Sequence, residues 1–191
     1  ERPLRPMSSI DQQRVRRTRT GLIASDPGRA FAGYTLFTPM LGDGTVYLLD
    51  MKGEVAHTWR LPYRPGLYGY LLENGHLFYS GKVMEDLGRF EAWARFKAGA
   101  ALEVDWHGKV VWEIRHPDHH HDARKLRNGN VILLCLRPVP RELHSRIGGG
   151  VAGSEAEGGI YAAYLVEMTP GGEVVWEWRS WEHLDFATEV I

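Results

Sequence analysis

The chain has 191 residues, of which 43% are hydrophobic and 25% charged, with a formal net charge of −1. That composition suits a globular fold with a sizeable core and gives no overall attraction to nucleic acid or an anionic membrane. Its one cysteine, Cys135, excludes an internal disulfide and a thiolate zinc cage, and no stretch approaches the roughly 18 apolar residues of a membrane span.

Residues 1–32 read as a basic N-terminal arm carrying Arg2, Arg5, Arg14, Arg16, Arg17 and Arg19, a solvated segment laid over the body. From residue 33 the sequence repeats itself. One phrase occurs three times, as VYLLDMKGEVAHTW from Val46, ALEVDWHGKVVWEI from Ala101 and YLVEMTPGGEVVWEW from Tyr164. Each is an apolar run, a turn and a second run rich in β-branched and aromatic residues, the pattern of a β-hairpin. The turns Asp50–Gly53, Asp105–Gly108 and Thr169–Gly172 open on a side chain that bonds its own backbone. They close on a glycine that accepts positive φ. A second phrase follows the first two copies, YLLENGHLFYSG from Tyr70 and RKLRNGNVILLC from Arg124. It turns on Asn-Gly, the strongest short-range hairpin signal.

Two hairpins in succession predict a four-stranded antiparallel unit. The first-phrase glycines are 55 and 64 residues apart, a period that points to β-propeller blades. Blades are expected at about 33–83, 100–142 and 160–191, the last incomplete. Trp59, Trp112 and Trp176 are read as equivalent inter-blade packing positions. Leu87, Phe90 and Trp93 have helical spacing and predict a short covering helix, while residues 143–159 predict a mobile glycine-rich loop. The predicted fold class is therefore all-β, a propeller of about two and a half blades. Closed propellers have about four to eight, so completion to about six is expected from a second polypeptide or a second copy of this chain. A cytoplasmic location is expected, with a periplasmic one as the alternative.

The middle copy alone carries HPDHHHD, His116 to Asp122. Strand alternation would put His119 and His121 on one face and His120, Asp122 and Arg124 on the other. In one reading a neutral imidazole is a nucleophile, with neighbouring histidines as acid or base and Arg124 offsetting anionic charge. In a second, His116, His119, His120 and His121 ligate a transition metal with help from Asp118 or Asp122. In a third, they are polar residues of a turn. Tyr68 and Tyr70 replace the histidines in the first copy and could line a pocket for an aromatic substrate. His183 stands seven residues beyond Trp176, as His119 stands beyond Trp112. His57, His76 and His107 are expected on hairpin surfaces, His144 at the mouth of the loop, and Cys135 as a buried structural thiol.

The segments GYTLFTP, TVYLLDMKGEVAHTW, GALEVDWHGKVVWEIRHPDHHHDARKLRNGNVILL and GGEVVWEWRSWEHLD resemble the arylsulfotransferase family of β-propellers, over the N-terminal part of that family's length. The resemblance implies a six-bladed propeller that transfers a sulfuryl group between phenols through a histidine, with no nucleotide donor and no required cofactor. By motif position His120-His121-Asp122 is similar to the family's channel histidines. The catalytic reading takes His120, His121 and Arg124 as central, His116 as supporting, and Tyr68, Tyr70 and His183 as candidates to contact the substrate. The family's nucleophile lies in later blades, which again implies completion by another polypeptide. The remaining readings are a metal-dependent oxidoreductase or hydrolase on the same scaffold, and a non-catalytic propeller subunit that supports a partner.

Overall fold

The computed structural model of the chain describes residues 21–85, 96–148 and 159–189. The arginines of the basic arm, the stripe Leu87, Phe90 and Trp93, and residues 149–158 of the glycine-rich loop lie outside them. Eleven strands run through the described residues: β1 (Thr35–Phe37), β2 (Thr45–Leu49), β3 (Val55–Arg60), β4 (Arg64–Leu71), β5 (Leu77–Lys82), β6 (Gly99–Val104), β7 (Val110–Arg115), β8 (His119–Lys125), β9 (Val131–Pro138), β10 (Tyr161–Met168) and β11 (Val174–Arg179). The protein is all-β, and no described helix is long and apolar enough to cross a membrane. A 3-10 turn, Arg141–Arg146, occupies the start of the segment expected to be loop.

The turns form as their chemistry dictates. Gly53, Gly108 and Gly172 return their N–H groups to Asp50, Asp105 and Thr169 at 3.0, 3.1 and 2.9 Å. Each has positive φ, 79°, 87° and 90°. Asp50 and Asp105 also accept the N–H of Lys52 and His107 at 2.8 and 2.9 Å.

The strands group differently from the sequence expectation. The sheets are β1-β2-β3, β4-β5-β6-β7 and β11-β10-β9-β8, all antiparallel. The second-phrase hairpin of one copy therefore pairs with the first-phrase hairpin of the next, and each four-stranded sheet straddles two copies. Burial explains the choice. β5 and β6 are buried almost throughout, whereas β3 and β7 have largely exposed alternate positions. Strands covered on both faces belong in the middle of a sheet, and half-covered strands at its edge.

The three sheets stack in sequence order. Val46, Leu48 and Trp59 of the first sheet pack on Leu77, Tyr79, Leu102 and Val104 of the second. On the other side of the second sheet, Phe78, Ala101 and Ile114 pack on Ala123, Leu133 and Tyr164 of the third. Strand alternation puts Leu77 and Tyr79 on one face and Phe78 on the other, so one strand serves both cores.

Register also corrects the tryptophan alignment. Val46 pairs with Trp59, Ala101 with Ile114 and Leu165 with Trp178. Trp59 therefore corresponds to Ile114 and Trp178, while Trp112 and Trp176 correspond to His57. The shared apolar ending of the phrase had concealed a two-residue offset.

Candidate functional site

β8 is an edge strand of the third sheet, and β9 is its strand partner among the described residues. His119 pairs with Cys135 and Ala123 with Leu133, so four steps along β8 match two along β9. The excess is a bulge, the device by which an edge strand re-aims side chains. Its consequence contradicts strict alternation. His120 and His121 do not point to opposite faces: their Nδ1 atoms meet at 2.6 Å, with ring centroids 4.5 Å apart. β4 carries the same irregularity, Pro65 pairing with Gly81 and Gly69 with Tyr79. There the bulge holds Gly66, whose added Cβ would lie 2.6 Å from that of Ala98. It also holds Leu67, at φ 80°.

The histidines sit in distinct surroundings. His119 is fully buried, its Nε2 lies 3.2 Å from the Asp122 carbonyl, and its Nδ1 has no hydrogen-bond partner. Burial pushes it down to about 3, against the bond to Asp122 and helped by the charges of His116, His120 and His121. Burial and then the charge of His121 hold His120 down to about 4. Both are neutral imidazoles at pH 7. The Nδ1–Nδ1 contact needs one donor and one lone pair, so only one of the two Nδ1 atoms carries a proton. Nε2 of His120 is buried and Phe96 packs beside that ring, which leaves His121 as the member of the pair that offers a ring nitrogen outward.

His116 faces the other way. Its Nδ1 accepts the Asp118 N–H at 3.2 Å and lies 3.6 Å from Cys135 Sγ. Asp118 is buried, and one of its carboxylate oxygens accepts the Tyr164 hydroxyl at 2.5 Å and the Arg137 guanidinium at 3.3 Å. Burial, then the bond to Asp118, pushes the Tyr164 phenol up; burial, then the Asp118 charge, does the same to the Cys135 thiol. A raised, fully buried thiol is structural, as the apolar run VILLCL suggested. This cluster anchors the start of β8.

The far end of β8 meets β4 across the gap between sheets. Arg124 stacks over Tyr68 and Tyr70, 4.4 and 5.1 Å from the ring centroids. The Lys125 N–H donates to the Tyr70 hydroxyl at 2.9 Å. The Lys125 ammonium pairs with buried Glu103, which also accepts from Trp112 at 2.7 Å and contacts His76 at 2.7 Å. Burial would raise Glu103, but the bonds from Lys125, His76 and Trp112 outweigh it and hold it down to about 2. Sequence reasoning missed Glu103 and Lys125 because their pairing depends on which sheets stack.

The structure thus brings together His120 with His121, and Arg124 with Tyr68 and Tyr70. It does not bring His116 or His119 into the histidine pair. His183 stacks on Trp178 at 5.0 Å beyond β11, the opposite edge of the sheet from β8. His57 and His76 are partly buried rather than superficial: His57 stacks on Trp106 at 4.1 Å, and His76 binds Glu103. His107 is exposed as expected, and His144 contacts the Val139 carbonyl at 3.0 Å. Among the described residues no three His, Cys, Asp or Glu side chains are placed to hold a metal ion.

No protein-family model matches the chain, and no curated protein does. Among solved structures it is similar to a Bacteroides caccae protein described as of unknown function, at 16% identity and a TM-score of 0.46. The similarity covers 81% of this chain and 48% of that one, so the chain spans about half the length of the structure it matches.

Proposed function

We propose that the three sheets are blades of a β-propeller completed by further polypeptide, and that His121, backed by His120, transfers a sulfuryl group from an aryl sulfate to a phenolic acceptor. The observation that carries this reading is the His120–His121 contact of 2.6 Å on a bulged edge strand. It couples two imidazole rings through their Nδ1 atoms, and His121 is the ring whose other nitrogen is not among the buried ones. In a propeller, β4 and β8 would be the inner strands lining the axial channel.

With His121 protonated on Nδ1, its Nε2 lone pair attacks sulfur. The sulfur–oxygen bond to the aryl group breaks, the aryl oxygen leaves with the electron pair, and the Nδ1 proton passes to His120. In the second half the acceptor phenol oxygen attacks sulfur and the N–S bond returns its pair to His121. The proton on His120 goes back to Nδ1, and the phenol proton reaches the departed phenolate through solvent. The low basicity of His120 suits a partner that holds this proton only transiently. Arg124, exposed and supported by Tyr68 and Tyr70, supplies a cation for the sulfate oxygens beside aromatic faces for the ring.

The test is turnover of a chromogenic aryl sulfate with a phenol acceptor by the assembled protein. Loss in His121→Ala and His120→Ala, with retention in His107→Ala, supports the reading. Unchanged turnover in the first two, or a stoichiometric transition metal on which turnover depends, overturns it in favour of a supporting subunit or a metalloenzyme.

A further inference from the structure

Among the described residues no sheet covers either outer face of the stack, and the two faces are the two halves of one repeated interface. Inside the chain, each sheet presents a row of residues to the sheet that follows. Val46–Trp59 of the first is buried under the second, and Ala101–Ile114 of the second is buried under the third. The corresponding row of the third sheet is Leu134–Leu165–Trp178, apolar throughout and only half-buried. Beside it Trp176 is 45% exposed.

The receiving face has the same relationship. The second sheet meets the first with Tyr79 and Leu102, paired in register and fully buried. The matching pair in the first sheet is Phe37 with Tyr47. Phe37 is 50% exposed and Tyr47 half-buried, because no described sheet precedes them. The turn positions agree. Trp106, at the second position of its turn, covers His57 with ring centroids 4.1 Å apart. Met51 holds that turn position in the first sheet and is 40% exposed, while Trp176 holds the position of His57 in the third.

We infer that a second copy of this chain covers both faces: the first sheet of each copy seats on the third sheet of the other, with Met51 against the partner copy's Trp176 as Trp106 lies against His57. This inference rests on the propeller reading proposed above. A two-fold arrangement satisfies both faces at once, since each copy donates and receives the same surfaces. Two sets of three sheets make six, within the range at which propellers close. The channel would then be lined by β4 and β8 from both copies, with the two His120–His121 pairs facing one space.

The experiment uses the whole chain, in which Cys135 is buried and does not interfere. Sedimentation should give twice the chain mass of 21.7 kDa, and Trp176→Glu should shift the population towards monomer. Oxidation of the double variant Met51→Cys, Trp176→Cys should give a covalent dimer on denaturing gels, which neither single variant gives. A monomer at micromolar concentration, or a dimer whose cysteine pair does not cross-link, overturns the inference. Neither readout involves turnover, so a failure here is distinct from a failure of the histidine chemistry.

Discussion

Lys125 donates its backbone N–H to the phenol oxygen of Tyr70 across 2.9 Å, and the two residues belong to edge strands of different sheets. Among the described residues neither strand pairs with another strand on that side, and the Ala98 N–H bonded to the His119 carbonyl at 3.3 Å lies at the other end of β8. A side-chain hydroxyl therefore does what a ladder bond cannot, fixing the spacing between sheets at the point where Arg124 lies over Tyr68 and Tyr70. Replacing Tyr70 with Phe removes the acceptor and keeps the ring. The expected cost is about 1 kcal/mol, read from the denaturation midpoint, with the Arg124 stack retained.

Glu103 makes the sheet junction acid-sensitive. Its carboxyl is held at about 2 in the folded protein against an ordinary 4.5. A depressed value means that the unfolded chain binds the proton first. The stabilisation is therefore complete above pH 4.5 and is lost as pH falls towards 2. The contribution is about 3 kcal/mol. Urea denaturation at pH 4.5 and pH 3 should show a steep loss that Glu103→Gln flattens, starting from lower stability at neutral pH. A parallel pH dependence in the variant would remove Glu103 as its source.

Between pH 7 and pH 5 the histidines should dominate. His119 is held at about 3 in the fold against 6.5, so it too contributes stability at high pH that is lost on acidification. His119 alone accounts for about 2 kcal/mol by pH 5, and His120 acts in the same direction. His119→Leu removes a buried nitrogen that has no partner along with the bond to Asp122, so stability at pH 7 should change by no more than about 1 kcal/mol. The difference in midpoint between pH 7 and pH 5 should shrink.

For turnover, His121→Ala should lower the rate with an aryl sulfate about a thousandfold, the scale of a lost nucleophile or acid–base group. His120→Ala should lower it less and shift the pH profile, because the ring it supports loses its proton acceptor. Equal loss in both with no change in profile would mean that the pair serves only to shape the strand.

Cys135 is buried and its thiol is pushed up, first by burial. It should resist a neutral-pH thiol reagent in the folded protein and react fully in denaturant. Labelling of the native protein at the rate of free cysteine would contradict the packing around His116.

The hairpins were legible because their turn residues act locally: Asp50, Asp105, Asn74-Gly75 and Asn128-Gly129 form the turns their side chains favour. How the hairpins group was not legible. β5 has apolar residues on both faces, and nothing within one hairpin says whether β4–β5 joins the phrase before it or the one after. The His119–Ala123 bulge was hidden for a related reason. An extra residue in an edge strand shows only in the register of its partner, so alternation separated His120 from His121 when the fold joins them. Trp59 matched Trp112 by letter, while Val46–Trp59 and Ala101–Ile114 match by pairing.

β4 and β8 make the same register step, over Gly66 and Leu67 in one and His120 and His121 in the other, but not by the same backbone path. Leu67 takes positive φ where His121 does not, and a side chain at residue 66 would run into Ala98 at 2.6 Å. The histidine pair is therefore tied to its own strand: the crowding that keeps Gly66 bare bars that position from carrying the same reagent.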